Sequence, residues 1–378
     1  MIGIRLFDSS NNVFLDVEFL KNYQTFSFLQ LPCWAEVKSG WKSKSVGWFD
    51  ERKLVCVGLI LIRNIPKTKW SLFYLPEGPV LDPDYAKNVV DWLTPLRDFA
   101  KESGAFNLKL GPQVTINTWS AATIKSAISD NVYRQFKDVD PDRVNPFGNE
   151  IGTKLRNLGG KQIETDGEGF GDVQPRFVFA IDVEGKSDEE LLATFSQEWR
   201  RNIKKAEKSE VKVRKANFSD LETFHILYKE TAKRDKFTPR PLNYFKQMWK
   251  SLNENSSNLA EMRLYIAEQE NICHAACLWV RVGKHVWYTY GASSTSGREL
   301  RPSNAIQWQM MRDARDAGAS IYDMRGIAAT LNEKSPLFGL LRFKIGTGGK
   351  VIQYVGEWDF VLKPLIYKAF RVALARRG

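Results

Sequence analysis

The sequence predicts a mixed α/β protein made of two similar units in tandem. Two observations carry this reading: an antiparallel meander, a helix and a further strand follow one another twice along the chain, and the meander strands are short segments separated by polar breaks while apolar residues recur at helical spacing in the helices that follow them. Length agrees, because 378 residues exceed what one ordinary core organises.

The first copy begins after a short helix at 31–38 (LPCWAEVK), which Lys38 ends before the turn Ser39-Gly40. Strands are expected at 46–49, 54–63 and 70–75, with polar breaks between them, and Pro76-Glu77-Gly78-Pro79 forms a turn. Helical spacing then runs over 84–102 through Val89, Val90, Leu93, Leu96, Phe99 and Ala100. Gly104 ends that helix, and 106–110 resumes a strand. Residues 113–172 are rich in loop formers, with short helices expected at 121–128 and 149–158 and a domain boundary near Gly171.

The second copy opens with a strand at 176–183. Ser187 and Glu190 have capping-box spacing, and Leu191, Phe195, Trp199, Ile203 and Ala206 continue as one apolar helical stripe. A strand at 210–216, a helix opened by the pair Ser219 and Glu222, and another helix from Pro241 come next. Strands at 263–269, 272–282 and 285–291 form the second meander, followed by a helix over 303–317 and a strand at 320–325.

Composition excludes several classes. Hydrophobic residues make up 43% and charged residues 26%, a globular balance. The longest apolar run, 54–62, is too short to span a bilayer, which needs roughly 18 residues, and so reads as a buried strand. The N-terminus lacks the features of a secretory signal, and four cysteines make no disulfide framework, so a cytoplasmic protein is expected. Cys273, His274 and Cys277 lie on a strand that separates the two sulfurs by about 13 Å, too far for one metal ion. No metal site is expected. KIGTGGKV at 344–351 fails as a nucleotide-binding loop, because Ile345 stands four residues before Gly349 and Val351 follows Lys350 where a hydroxyl is needed.

Two stretches invite a functional reading. The net charge is +11, and 196–215 alone holds eight Lys/Arg against three Glu. Arg200, Arg201, Lys204, Lys205 and Lys208 lie beside the apolar stripe, forming a ridge suited to phosphates of RNA, of a nucleotide or of a membrane surface, or simply a solvated face. The stretch 286–311 reads as an aromatic strand, a polar loop and a helix capped by Ser303 or Asn304. Its helix N-terminus is a candidate site for an anionic or carbonyl-bearing ligand.

The repeated element order matches acyltransferase domains of the GNAT type. Eight segments in order then resemble the Fem family of aminoacyl-tRNA-dependent peptidyl transferases: LQLPCWAEVKSGW, PEGPVLD, SQEWRRNIKKAEKSEVKV, FTPRPLNYF, VWYTYGAS continuing to AIQWQMM, YDMRGI, LLRFKIGTGG and QYVGEWD. The resemblance implies two GNAT-like domains, one of 1–172 plus 352–378 on the muropeptide side and one of 173–351 on the tRNA side. Residues 221–252 are broken by Pro239 and Pro241 and hold no sustained heptads, so no coiled-coil arm is expected. Two departures stand out. Arg325 in YDMRGI occupies a position where many relatives have glycine, and Gly111 stands where some have an acidic residue.

Carried over residue by residue, Lys38 and Arg240 resemble the pair that grips the substrate diphosphate, and Tyr244 and Tyr290 resemble tyrosines that hydrogen-bond the same substrate. Phe343 and Lys344 match a pair beside the tRNA 3′ end, where the ring stacks on the terminal base and the amine lies near the ester carbonyl. Glu357 is a further candidate. The basic ridge, together with Arg298 and Arg301 in the loop after the aromatic strand, is expected to meet tRNA. The implied activity moves an amino acid from aminoacyl-tRNA, a co-substrate, to a side-chain amine of the stem peptide of a UDP-linked or lipid-linked peptidoglycan precursor. No cofactor is implied, and a peripheral contact with the inner membrane face is expected. The alternatives are an acyl-CoA-dependent N-acyltransferase, against which the absence of a clear Gln/Arg-x-x-Gly-x-Gly/Ala pyrophosphate loop counts, and a non-catalytic RNA- or membrane-binding module.

Overall fold

Strand β3 shows how the chain is organised. Its sequence, KLVCVGLILIRN, is apolar on both faces, and the period of two divides it: Val57, Leu59 and Leu61 enter one core while Cys56, Ile60 and Ile62 enter another. The computed structural model describes residues 2–7, 13–162 and 173–375. Its strands are β1 (Ile2–Phe7), β2 (Lys42–Asp50), β3 (Lys53–Asn64), β4 (Ser71–Leu75), β5 (Val80–Leu81), β6 (Ala105–Leu110), β7 (Thr115–Ser120) and β8 (Arg143–Val144). Then come β9 (Phe177–Asp182), β10 (Lys212–Ala216), β11 (Ala260–Gln269), β12 (Ile272–Val282), β13 (His285–Ser293), β14 (Ile321–Gly326), β15 (Lys350–Tyr354) and β16 (Trp358–Val361).

They form two sheets. One has the order β1-β2-β3-β4-β6-β16 with β5 beside β3, and the other runs β10-β11-β12-β13-β14-β9-β15-β7-β8. The duplication is visible in the pairing. In the first sheet the meander β2-β3-β4 is followed by the helix Val89–Glu102, and β6 then pairs parallel to β4. In the second, β11-β12-β13 is followed by the helix Pro302–Asp316, and β14 then pairs parallel to β13. These are the only parallel pairs among the described strands.

The two sheets share a core. Like β3, β12 is divided by its alternation: Ala276, Leu278 and Val280 face the shared core, while Ala275, Cys277 and Trp279 face the core beneath the helix Pro302–Asp316. Phe28 meets Trp287 edge-on at 5.4 Å across that shared layer. Burial of large apolar side chains from both copies fixes one sheet against the other.

Several expectations change. The strands β7 and β8 lie within 1–172, the span expected for the first domain, but join the second sheet; β16 and the helix Pro364–Ala375 lie on the first. TINTWS in β7 is mostly polar, so no apolar alternation marks it. The boundary expected near Gly171 lies outside the described residues. The stretch 84–102 splits into helices Pro83–Ala86 and Val89–Glu102. The stripe from Leu191 to Ala206 is buried throughout but belongs to two helices, Asp188–Thr194 and Gln197–Lys208. Phe195 between them is extended, and the Ser196 side chain caps the second helix. Residues 221–252 form two ordinary packed helices, Leu221–Asp235 and Leu242–Asn253. The cap before the first of these is Asn217 with Asp220, while Glu222 pairs with Lys246 at 2.9 Å.

Candidate functional site

Lys38, Arg240, Tyr244 and Tyr290 come from three parts of the chain and meet. Lys38 is the C-cap of the one-turn helix Trp34–Val37, and its ammonium lies 5.6 Å from the Trp34 ring centre and 5.5 Å from that of Tyr244. The Arg240 guanidinium lies 5.4 Å from the same Tyr244 ring, and the Tyr290 hydroxyl donates to the Tyr244 hydroxyl at 3.2 Å. Pro241 caps the helix Leu242–Asn253, which places Arg240 just before the helix and Tyr244 in its first turn. A His225 ring nitrogen lies 3.1 Å from the Arg240 carbonyl oxygen and fixes that loop.

Electrostatics suit an anion. Burial, with a contribution from the Arg240 charge, lowers the Lys38 pKa to about 8. Burial foremost also raises the Tyr244 hydroxyl well above its ordinary range, so it stays a hydrogen-bond donor. Among the described residues no carboxylate lies within ion-pair distance of Lys38 or Arg240. Two cations held by aromatic rings and not neutralised by acids suit a doubly charged diphosphate.

Lys344 sits in a different setting. It lies in the helix Phe338–Ile345 and is 3% exposed, and its Nζ donates to the carbonyl oxygens of Gly326 at 2.7 Å and Arg325 at 3.2 Å. Burial pushes its pKa down to about 7, against the opposing charge of Asp323 and with the help of Arg325. A neutral amine has two N–H bonds and satisfies both carbonyls. An ammonium has a third to give.

Phe343 connects Lys344 to the basic ridge. Its ring lies 4.7 Å from the Trp199 ring, and the Trp199 indole N–H donates to its carbonyl oxygen at 2.7 Å. Trp199 is on the inner face of the helix Gln197–Lys208, whose outer face exposes Arg200, Arg201, Lys204, Lys205 and Lys208. None of the five forms an ion pair among the described residues. The glycines after Lys344 serve this packing: a Cβ on Gly346 would stand 2.2 Å from Trp199, and one on Gly348, at φ +73°, would stand 2.1 Å from the Thr194 carbonyl oxygen.

Sequence reasoning missed the network behind Lys344. Arg325 has φ +62°, and its N–H donates to Asp323 Oδ1 at 2.5 Å. Its guanidinium donates to Glu77 at 2.9 Å and to Gln174 at 3.0 Å, and Glu77 also accepts from Ser27 at 2.6 Å and Gln113 at 3.0 Å. Arg325 therefore ties the turn PEGP of one copy to the strand end of the other. Glycine adopts such a φ freely, so the glycine that the resemblance implies here would suit the same backbone. The signals available were a carboxylate enclosed by turn formers and an arginine where glycine is expected.

Glu357 is buried and accepts from the Tyr74 hydroxyl and from the Val173 N–H at 2.9 Å, with the Lys109 ammonium 3.7 Å away. A chain of hydrogen bonds runs from it through Tyr74, Gln174 and Arg325 to Lys344. A Cβ on Gly111 would stand 2.8 Å from the Gly356 carbonyl oxygen and 3.1 Å from the Glu357 Cα and Cγ, so the absence of a side chain at Gly111 lets the backbone at Glu357 approach. Arg298 and Arg301 are exposed in the loop before the helix Pro302–Asp316. That helix has no side-chain cap: its N-cap is Arg301 at φ +62°, and Ser303 and Asn304 lie inside it. Ile306, Met310 and Ala314 are buried, so the helix is scaffold, and Tyr290 is what its preceding strand gives the site. The Cys273 to Cys277 segment is in β12, as expected.

The fold is a tandem of two similar α/β units, each with a meander, a helix and a parallel strand, and it carries these two clusters. Among solved structures, a crystal structure of FemX superposes with a TM-score of 0.77 at 22% identity, covering 97% of this chain and 99% of that one. A tandem GNAT protein from the clavulanic acid biosynthesis pathway superposes at 0.51 with 8% identity. The model of the FemAB family matches residues 16–260 and 249–374, and the chain belongs to that family. Lipid II:glycine glycyltransferases of Staphylococcus epidermidis and Staphylococcus aureus are 25% and 24% identical to it, over 92% and 93% of this chain and 91% of each relative.

Proposed function

We propose that this protein moves an amino acid from aminoacyl-tRNA to the side-chain amine of the stem peptide in a diphosphate-bearing peptidoglycan precursor. The observation that carries it is the placement of Lys344: buried on two carbonyls, next to Phe343, and at the foot of a helix whose outer face is cationic. That ridge meets the acceptor arm of tRNA, Phe343 stacks on its terminal base, and the ester carbonyl lies at Lys344. Lys38 and Arg240 hold the diphosphate while Tyr244 and Tyr290 hydrogen-bond the same substrate. The names of the staphylococcal relatives favour a lipid-linked acceptor.

Catalysis is largely positioning. The neutral acceptor amine attacks the ester carbonyl, a C–N bond forms, and the Lys344 ammonium donates to the oxyanion. The C–O bond to the ribose then breaks, and the proton lost by the amine ends on the ribose oxygen. The test is transfer of radiolabelled amino acids from a panel of charged tRNAs to UDP-linked and lipid-linked precursors. Transfer sensitive to ribonuclease is expected. If both precursors stay unlabelled with every tRNA while acetyl-CoA raises the melting temperature, an acyl-CoA-dependent N-acyltransferase takes its place.

A further inference from the structure

The helix Pro364–Ala375 has apolar residues on both faces. Inward, Phe370 packs on Phe106 at 5.0 Å and the Tyr367 hydroxyl donates to Asp359 at 2.9 Å, which anchors the helix to the first sheet. Outward, Leu365, Ala369 and Val372 are spaced i, i+4, i+7 and are all exposed, Leu365 at 83% and Val372 at 46%. Leu365 is the most exposed large apolar side chain among the described residues. A helix on a globular surface ordinarily turns such a stripe inward.

Charge identifies what covers it. The helix contains no acidic residue; Lys368 is exposed beside the stripe, and Arg371, also exposed, lies on the side of Tyr367, with which it hydrogen-bonds. At its start the half-exposed Trp70 ring has the ammonium of Lys363 at 5.4 Å and that of Lys69 at 5.3 Å. A short apolar stripe bordered by cations and a tryptophan is the composition of a helix lying in the plane of a bilayer surface. A second copy packed symmetrically on the stripe would bring Lys368 toward its own like charge. An anionic lipid surface pairs with that charge instead.

We propose that the outer face of Pro364–Ala375, with Trp70, Lys69 and Lys363, docks this protein on an anionic membrane surface. The purpose of the contact rests on the lipid-linked reading of the acceptor, whereas the contact itself does not. Vesicle co-sedimentation tests it, with phosphatidylcholine alone and with phosphatidylglycerol mixed in. The intact protein is expected to bind the mixed vesicles, less so as salt rises, and the double substitution Leu365→Glu, Val372→Glu to weaken binding at least about tenfold. Transfer to a soluble UDP-linked precursor stays unchanged in that variant, while transfer to vesicle-embedded precursor falls. Equal binding by the variant, or no binding by the intact protein, overturns the proposal. So does a dimer by light scattering that the substitutions split while vesicles stay unbound. If the double variant melts early, Leu365→Ala supplies the same comparison. Vesicle binding without transfer to either precursor leaves the docking surface standing and removes the functional reading.

Discussion

Lys344 gives the sharpest handle on the chemistry. Its pKa falls from 10.5 to about 7 on burial, a shift worth on the order of 5 kcal/mol in favour of the neutral form. Near pH 7 the ammonium and amine are thus similarly populated. Transfer with the ammonium as oxyanion donor follows the product of two fractions, protonated Lys344 and neutral acceptor amine. An ordinary lysine-like amine has a pKa of about 10.4. The single-turnover rate therefore rises about tenfold per pH unit up to about 7 and is level from there to about 10. An unshifted Lys344 would let the rise continue to about 10.

A general-base role for neutral Lys344 gives the same profile, and substitution separates the two. Lys344→Arg keeps a charged donor at every accessible pH and cannot act as a base. It is expected to retain activity that keeps rising beyond pH 7, whereas Lys344→Met loses roughly 100- to 1,000-fold. A native rate still climbing tenfold per unit at pH 8 to 9, or Lys344→Met at the native rate, refutes the reasoning. Inactive Lys344→Arg with native melting behaviour moves Lys344 to the base role. Stability carries the same signature. Between about 7 and 10.5 the unfolded chain holds the proton that the folded one has released, so stability rises with pH across that window. Lys344→Met removes this slope.

Three further outcomes follow from the clusters. Lys38 loses its charge as pH rises through about 8, so the KM for precursor increases above that pH. Lys38→Met raises KM roughly 10- to 100-fold with kcat little changed, while Lys38→Arg holds KM flat with pH. Arg325→Gly accepts φ +62° freely and is expected to be about 1 kcal/mol more stable than Arg325→Ala in denaturant unfolding. Both remove a charge that lowers the Lys344 pKa, so the bend in the pH–rate profile moves above 7. Lys204→Gln with Lys208→Gln weakens tRNA binding and reduces the salt slope of its affinity by about 0.7 to 0.9 per lost phosphate contact, measured by filter binding.

The architecture was legible because the strands of both meanders are apolar segments separated by short polar turns and both crossover helices carry helical spacing. β7 escaped because TINTWS offers polar side chains to a sheet interior, and its pairing with β15 links residues far apart in sequence. The break at Phe195 escaped because its side chain keeps the helical stripe while its backbone leaves the helix. In the site, Lys38, Arg240, Tyr244 and Tyr290 were readable only through the resemblance, since nothing in local spacing brings them together. Glu77, Gln174 and Arg325 were not readable as a unit. Their ion pair and hydrogen bonds form only when the turn of one copy is placed against the strand end of the other.

The most direct test is tandem mass spectrometry of precursor incubated with the purified protein and charged tRNA. The expected product carries one or more added aminoacyl residues, joined by an amide to the side-chain amine of the stem peptide, and is absent when the tRNA is uncharged. An added group that appears with acetyl-CoA in place of charged tRNA, or unmodified precursor under every donor, contradicts aminoacyl transfer as the activity of this chain.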